Sequence, residues 1–405
     1  MAKTVAIIAA LDTKAEEARY LRDAIERRGH TTVVIDVGVL GTPGIPAEVN
    51  GDRVARAGGA ELADLRRTED KARAMAAMTR GAAIVAAELH TAGRIDGIIG
   101  LGGTAGTTIA ASAMRALPIG LPKLIISTVA AGDTRPYVGT KDITMMYSVV
   151  DVAGLNGIST QIFTNAAGAI VGMVESEPPA RPPRPLIAAS MFGNTTALVD
   201  AGREIMEGAG YEVLVFHATG AGGQTLESLV ADGFISGVYD VTTTEWADEL
   251  VGGVFAAGPT RLEAAARAGV PQVVAPGCLD MVNFGGPETV PPRYAGRRFY
   301  HWNPTVTLMR TTPGENAEIG RILAAKVNMS TGPVTVFLPL RGVSQLDSPG
   351  GEFWWPEADA ALFGAIKANL RPDIPLVELD LTINDPAFAE ATAQQLLGYL
   401  GAAVR

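Results

Sequence analysis

The chain has 405 residues, 47% of them hydrophobic and 19% charged, enough apolar material for two domains with separate cores. Its formal net charge of −10 excludes a general affinity for nucleic acid or anionic membranes, while allowing a local basic pocket. A single cysteine, Cys278, excludes a disulfide framework and sets the expectation of a reducing, cytoplasmic home. No apolar run is expected to reach the roughly 20 residues of a bilayer span.

Val5-Ala-Ile-Ile-Ala-Ala-Leu11 reads as a first strand, because it stops at Asp12 and Lys14 without the small-residue cleavage pattern of a signal peptide. A helix ending near Gly29 and a second strand, Thr32–Asp36, follow. At the tip of the first strand, Asp12 is a candidate Mg²⁺ ligand and Thr13 a candidate phosphate contact; either serves equally as an N-cap. Lys14 is better explained by a bound anion, since a cation at a helix start opposes the dipole.

The stretch Arg94–Thr108 is the most informative. An apolar run from Ile95 to Leu101 stops in glycines, and small hydroxyl residues lead into the helix-forming Ile109–Ala116. Strand, glycine turn and helix start place bare amides and a positive dipole end beside any ligand above the strand. Gly102, Gly103, Thr104, Gly106 and Thr107 are therefore candidate phosphate contacts. Gly100-Leu-Gly102-Gly-Thr-Ala105 matches the dinucleotide pattern in form, but the next strand, ending at Ser127, supplies no acidic residue for a ribose. Nor does a Lys-Ser or Lys-Thr follow to make a Walker loop. The expectation is a nonstandard nucleotide-phosphate cradle, with nicotinamide the least favoured guest. Ser127, Gly132 and Asp133 close the fourth strand; Asp133 is a candidate for metal or ribose, or equally a partner for Arg135.

Five prolines in Glu175–Pro185 favour extended geometry, so residues 179–185 read as a semi-rigid linker between domains at 1–178 and 186–405. Beyond it the programme restarts. Leu186–Ser190 precedes Asn194, Thr195 and Thr196, candidate substrate contacts, then a helix ending near Gly210 and the strand Glu212–Phe216. Asp96–Gly100 corresponds to Ser236–Asp240, and Pro122–Ser127 to Pro271–Ala275. The fold class is α/β: two Rossmann-like three-layer domains with mostly parallel sheets, related as in a duplication. The candidate residues fall in strand-end turns, where such folds bind ligands.

A second glycine turn, with Gly220, Gly222 and Gly223 as candidate substrate contacts, follows His217. His217 suits general acid–base work, with an unperturbed pKa near 6.5, or a structural contact between the domains. Glu245 and Asp280 are candidate catalytic carboxylates, although Glu245 is also what a helix start favours on charge alone. Cys278 reads as a nucleophile or as a small packed residue, and ranks below His217. Arg341 suits an anionic substrate, and Trp354 and Trp355 suit the core or a subunit interface. No spacing resembles a zinc site.

Taken together, the segments Gly102–Thr107, Ser127–Asp133, Met191–Thr196, Phe216–Gly223, Thr243–Leu250, Gly277–Asp280 and Pro339–Gly342 carry a resemblance. Over almost its full length the chain resembles an uncharacterised two-domain family that includes the ATP-binding N-terminal region of the tomato mosaic virus resistance protein. The resemblance implies two Rossmann-like domains, ATP in the N-terminal one, and dimers, with no settled reaction. Two functions follow as expectations. One is an ATP- and Mg²⁺-dependent enzyme, performing phosphoryl transfer or ligation on a small anionic metabolite at an inter-domain cleft. The other is a non-catalytic, nucleotide-dependent interaction module.

Overall fold

Short, continuously apolar strands alternate with amphipathic helices throughout, and this pattern places parallel sheets between helical layers. The computed structural model describes residues 2–68, 70–177 and 184–403; most of the expected linker lies outside them. The chain divides into two compact units, residues 1–180 and 181–405.

In the first unit the elements are β1 (Thr4–Ala9), α1 (Ala15–Glu26), β2 (Thr31–Asp36), α2 (Gly51–Ala57), α3 (Leu62–Thr68) and α4 (Lys71–Thr91). β3 (Gly97–Gly102), α5 (Thr104–Arg115), β4 (Lys123–Ser127), α6 (Arg135–Val138), β5 (Thr144–Tyr147) and α7 (Gly157–Glu175) complete it. The sheet order is β2-β1-β3-β4-β5, all parallel. One face packs on α2 to α5 through residues such as Val54, Leu62, Met78 and Ile109. The other packs on α1 and α7 through Leu21, Ile25, Phe163 and Ile170. Order reverses between β1 and β3, so the ligand crevice of this winding lies above their carboxyl ends. Helix α7 corrects one expectation: its 19 residues are long and apolar enough to cross a bilayer by length and composition. Its apolar face is taken up by the sheet.

The second unit contains β6 (Leu186–Met191), α8 (Thr196–Gly208), β7 (Glu212–His217), α9 (Ala221–Ala231), β8 (Ile235–Thr242), α10 (Glu245–Val251) and α11 (Ala264–Ala268). There follow β9 (Gln272–Gly277), β10 (Met281–Phe284), β11 (Phe299–Asn303), β12 (Val306–Arg310) and α12 (Pro313–Val327). The last elements are β13 (Val334–Pro339), α13 (Pro356–Asn369), β14 (Leu376–Leu379) and α14 (Pro386–Ala403). The main sheet runs β7-β6-β8-β9-β13-β14 and is parallel throughout. Its first five strands in chain order are wound as in the first unit, with a sixth added at the edge. A three-stranded antiparallel sheet, β10-β12-β11, is inserted between the fourth and fifth strands of that winding.

Helix starts follow their local chemistry. Asn156 and Thr312 form capping boxes for α7 and α12, the latter with Pro313 in the first turn. α5 and α9 differ: each begins at a glycine with no side-chain cap. Their first-turn amides need acceptors from elsewhere.

Candidate functional site

The crevice of the first unit holds about 490 Å³ at the carboxyl ends of β1 and β2 and the start of α5. Its walls are mainly apolar: Val37, Val39, Leu65, Met75, Met78 and Ile109. The polar part of the lining is Asp12 and Thr13 from the β1 tip, the α5 backbone at Ala105 and Gly106, the cations Arg66 and Lys71, and Asp70, which caps α4. Among the described residues neither cation has a carboxylate partner.

The turn into α5 is open. Gly103 and Gly106 are half-buried and Thr104 and Ala105 exposed, and the first internal helix bond is from the Thr107 amide to the Gly103 carbonyl at 2.9 Å. The amides of Thr104, Ala105 and Gly106 are therefore left for an external acceptor. A Cβ on Gly102 would lie 3.0 Å from the Gly106 Cα, and one on Gly106 the same distance from the Leu101 carbonyl. Those two glycines let strand and helix touch. Gly103 has room around it, its nearest atom being the Thr128 Oγ1 at 3.7 Å. The Thr107 and Ser127 hydroxyls pair at 2.7 Å while fully buried, which joins the first turn of α5 to the end of β4 and keeps both away from a ligand.

Asp12 is held by protein. Its Oδ2 accepts the amides of Leu40 (2.7 Å) and Gly41 (3.2 Å), fixing the segment after β2. Arg66 grips that segment from the other side, donating to the carbonyls of Val39 (2.7 Å) and Gly41 (2.9 Å). Beneath lies Asp36, whose Oδ1 accepts the amides of Leu11 (3.0 Å) and Gly38 (2.8 Å). Burial raises its pKa against those two bonds. Sequence reading missed Asp36, Arg66 and Lys71; the available signal was the long glycine- and proline-rich segment after β2, which needed anchors. Lys14 is half-buried at the start of α1 with no hydrogen-bond or ion-pair partner among the described residues. The Thr13 hydroxyl bonds the Ala10 carbonyl at 3.4 Å and caps nothing. Gly132 and Asp133 are exposed, and Asp133 is paired with Arg135 at 2.9 Å, whose guanidinium holds its carboxyl below the usual range. Among the described residues no group of three or more His, Cys, Asp or Glu is placed to hold a metal ion.

The second unit departs from expectation. The α9 turn, proposed as a substrate cradle at Gly220, Gly222 and Gly223, is already filled. Glu245 Oε1 accepts the amides of Gly220 (2.8 Å) and Gly223 (3.0 Å), and its Oε2 meets Arg261 Nε at 2.6 Å. Arg261, fully buried, also pairs bidentately with Asp240 at 2.6 Å and with Glu227 at 3.1 Å. Glu245 is thus an internal anion on a helix terminus and is removed from catalysis.

Asp280 is likewise internal. Its Oδ2 accepts from Ser344 Oγ at 2.9 Å, its Oδ1 has no partner, and burial together with Asp347 pushes its pKa up to about 7. Nearby, buried Arg310 bonds Asp359 (2.7 Å) and Asp347 (3.2 Å). Cys278 is fully buried at φ 58°, a left-handed backbone that strains a non-glycine residue, and burial raises its thiol pKa. This packed reading fits better than a nucleophile. Asn194 and Thr195 are buried, Thr195 bonding Thr242 at 2.8 Å, while exposed Thr196 bonds the Gly193 carbonyl at 3.1 Å. His217 is exposed at the end of edge strand β7, its ring edge-on to Phe192 at 5.4 Å with no hydrogen bond to it among the described residues. The expected trio of His217, Glu245 and Asp280 is not assembled. Arg341 is exposed on a separate cleft, described below.

Comparison with known proteins matches residues 3–179 to the N-terminal domain, and residues 184–400 to the C-terminal domain, of the uncharacterised protein family UPF0261. A UPF0261 protein of Clostridium tetani is 50% identical over 402 residues, covering 99% of this chain and all of its own length. The ToMV resistance protein Tm-1(GCR237) of Solanum lycopersicum is 44% identical over 311 residues, 75% of this chain and 41% of that protein. Among solved structures, a UDP-N-acetylglucosamine 2-epimerase from Rickettsia bellii aligns at 9% identity and TM-score 0.23, covering 99% of this chain and 98% of that one. With both halves matched in order, and relatives matched end to end, the chain belongs to the UPF0261 family.

Proposed function

We propose that this chain is a nucleotide-binding protein whose first domain takes ATP in the crevice beside α5. The supporting observation is the uncapped first turn of α5, open to solvent next to an apolar hollow with Arg66 and Lys71 at its edge. Amides of Thr104 to Gly106 suit a phosphate, the apolar walls suit a base, and the two cations suit the remaining phosphate charge. ATP is the nucleotide that the family resemblance implies. Mg²⁺ fits as a companion of the phosphates, since this cation keeps several waters and needs only one or two carboxylates. Asp12 and Asp70 are the carboxylates of the same lining, and Asp12 stands at the tip of β1.

The binding role is favoured over phosphoryl transfer by His217, Glu245 and Asp280. Both carboxylates are buried in separate networks, and the histidine ring has no hydrogen-bonded partner among the described residues. Calorimetric titration with ATP and Mg²⁺, against NADH, tests the reading. Saturable ATP binding is expected, weakened about tenfold by Arg66→Gln, the effect of losing one charge-assisted contact. NADH binding more tightly than ATP, or ATP failing to saturate, overturns it.

A further inference from the structure

The motif Pro339-Leu-Arg-Gly342 has no part in the nucleotide site, yet it ends β13 at the edge of a second cleft of about 520 Å³. This cleft opens at the carboxyl ends of β13 and β14 and the start of α13, the side on which α/β sheets place ligands. Arg341 projects from a turn fixed by its own amide to the Leu381 carbonyl (3.0 Å) and by the Leu340 amide to Leu379 (2.9 Å). A Cβ at Gly342 would lie 1.6 Å from the Asp347 carbonyl, so the turn cannot relax outward. Among the described residues the guanidinium has no acceptor. The neighbouring cations are engaged: Arg310 by Asp347 and Asp359, Lys367 by Glu378 at 2.8 Å, and Arg298 by the Trp355 ring and the Trp354 carbonyl at 3.4 Å.

Two large apolar side chains are left open beside it, Leu340 at 41% and Trp354 at 43% exposure, over the buried Phe363. A flat apolar surface next to an unpaired guanidinium recognises a flat apolar body carrying an anionic group. Among the described lining residues, Lys367 is paired with Glu378 and Asp359 with Arg310, so Arg341 carries the one positive charge of the lining without a carboxylate partner. That balance suits a monoanion and disfavours a phosphate dianion. We infer that this cleft binds a small aromatic carboxylate, with Arg341 holding the carboxylate and Trp354 the ring. The inference concerns the second domain and stands whether or not ATP binds the first.

Ligand-observed NMR titration of the full chain with benzoate tests it, with benzyl alcohol and inorganic phosphate as comparison probes. Benzoate is expected to saturate, to bind at least tenfold more tightly than either comparison probe, and to lose at least tenfold in Arg341→Gln. Trp354→Ala should weaken it several-fold. Arg341 is exposed and makes no side-chain bond, so its variant should keep the wild-type melting midpoint; Arg341→Lys, which keeps the charge, should retain partial binding. No saturation by benzoate, equal binding of benzyl alcohol or phosphate, or unchanged affinity in Arg341→Gln overturns the assignment.

Discussion

Asp12 takes the amide proton of Leu40 at 2.7 Å, which makes the tip of β1 and the segment after β2 one mechanical unit. Leu40 itself is 78% exposed above the crevice, so its position depends on that bond and on Arg66. Asp12→Ala should loosen the segment at a cost of about 1–2 kcal/mol in stability, the typical loss of a hydrogen-bonded partner. Hydrogen exchange at Leu40 and Gly41 should speed up, and ATP affinity should fall several-fold. Unchanged protection at both amides would show that Arg66 alone fixes the segment.

Gly103→Val should remove ATP binding and leave the fold intact. Its φ of −77° is ordinary for any residue, and an added Cβ meets nothing closer than 3.7 Å. The branched side chain would instead occupy the space in front of the free α5 amides. A loss of at least tenfold is expected by calorimetry, with a melting midpoint close to wild type; wild-type affinity would place the phosphates elsewhere.

Gly223→Ala should do the reverse. A methyl there would sit 2.2 Å from Glu245 Oε2, forcing the carboxylate away from Arg261 and from two amides. Disrupting a buried ion pair of this kind costs about 3–5 kcal/mol. Chemical denaturation should show that loss in the second domain, with ATP affinity in the first unchanged.

Stability should fall as pH rises from roughly 4 to 8. Asp248 and Asp280 are raised to about 7 and Asp359 to about 8, chiefly by burial. Unfolded carboxyls titrate near 3.9, so within that window the folded chain holds more protons than the unfolded one. The stabilising contribution is complete below the unfolded value and is lost as pH climbs through the folded values. Melting midpoints at pH 5.5, 7 and 8.5 should decline in that order. Asp280→Asn should flatten the decline, because its side-chain oxygen can keep the Ser344 bond without ionising.

The Cys278 thiol should resist alkylation in the native protein and react at once on unfolding. It is fully buried and its pKa is raised, so little thiolate is presented. Fast native labelling by iodoacetamide, read by mass spectrometry, would contradict this.

The alternation of apolar strands and glycine-ended turns was legible, because doubly wound sheets impose it along the chain. The open turn at Gly102–Gly106 was legible for the same reason: glycine, hydroxyl and helix former follow one another locally. What could not be read was partnership across distance. Nothing in the neighbourhood of Glu245 announces that Arg261 will turn back to it, or that the Gly220 and Gly223 amides will donate to it as their anion. The antiparallel insertion of β10 to β12 was missed because its strands are short and paired across sequence gaps, outside the strand–helix alternation that marks the main sheet. Arg66 and Lys71 lie on helices remote from the glycine turn and join it only through the winding of the sheet.

The carboxylate lodged against α9 has a consequence for how the two halves respond to their surroundings. A terminus neutralised by its own chain is organised from the moment of folding, and no metabolite concentration can tune it. The equivalent end of α5 has no such resident among the described residues, so its amides stay available to a ligand from solution. Of these two helix termini, that of α9 is fixed by the fold itself, while that of α5 keeps its amides open to solution.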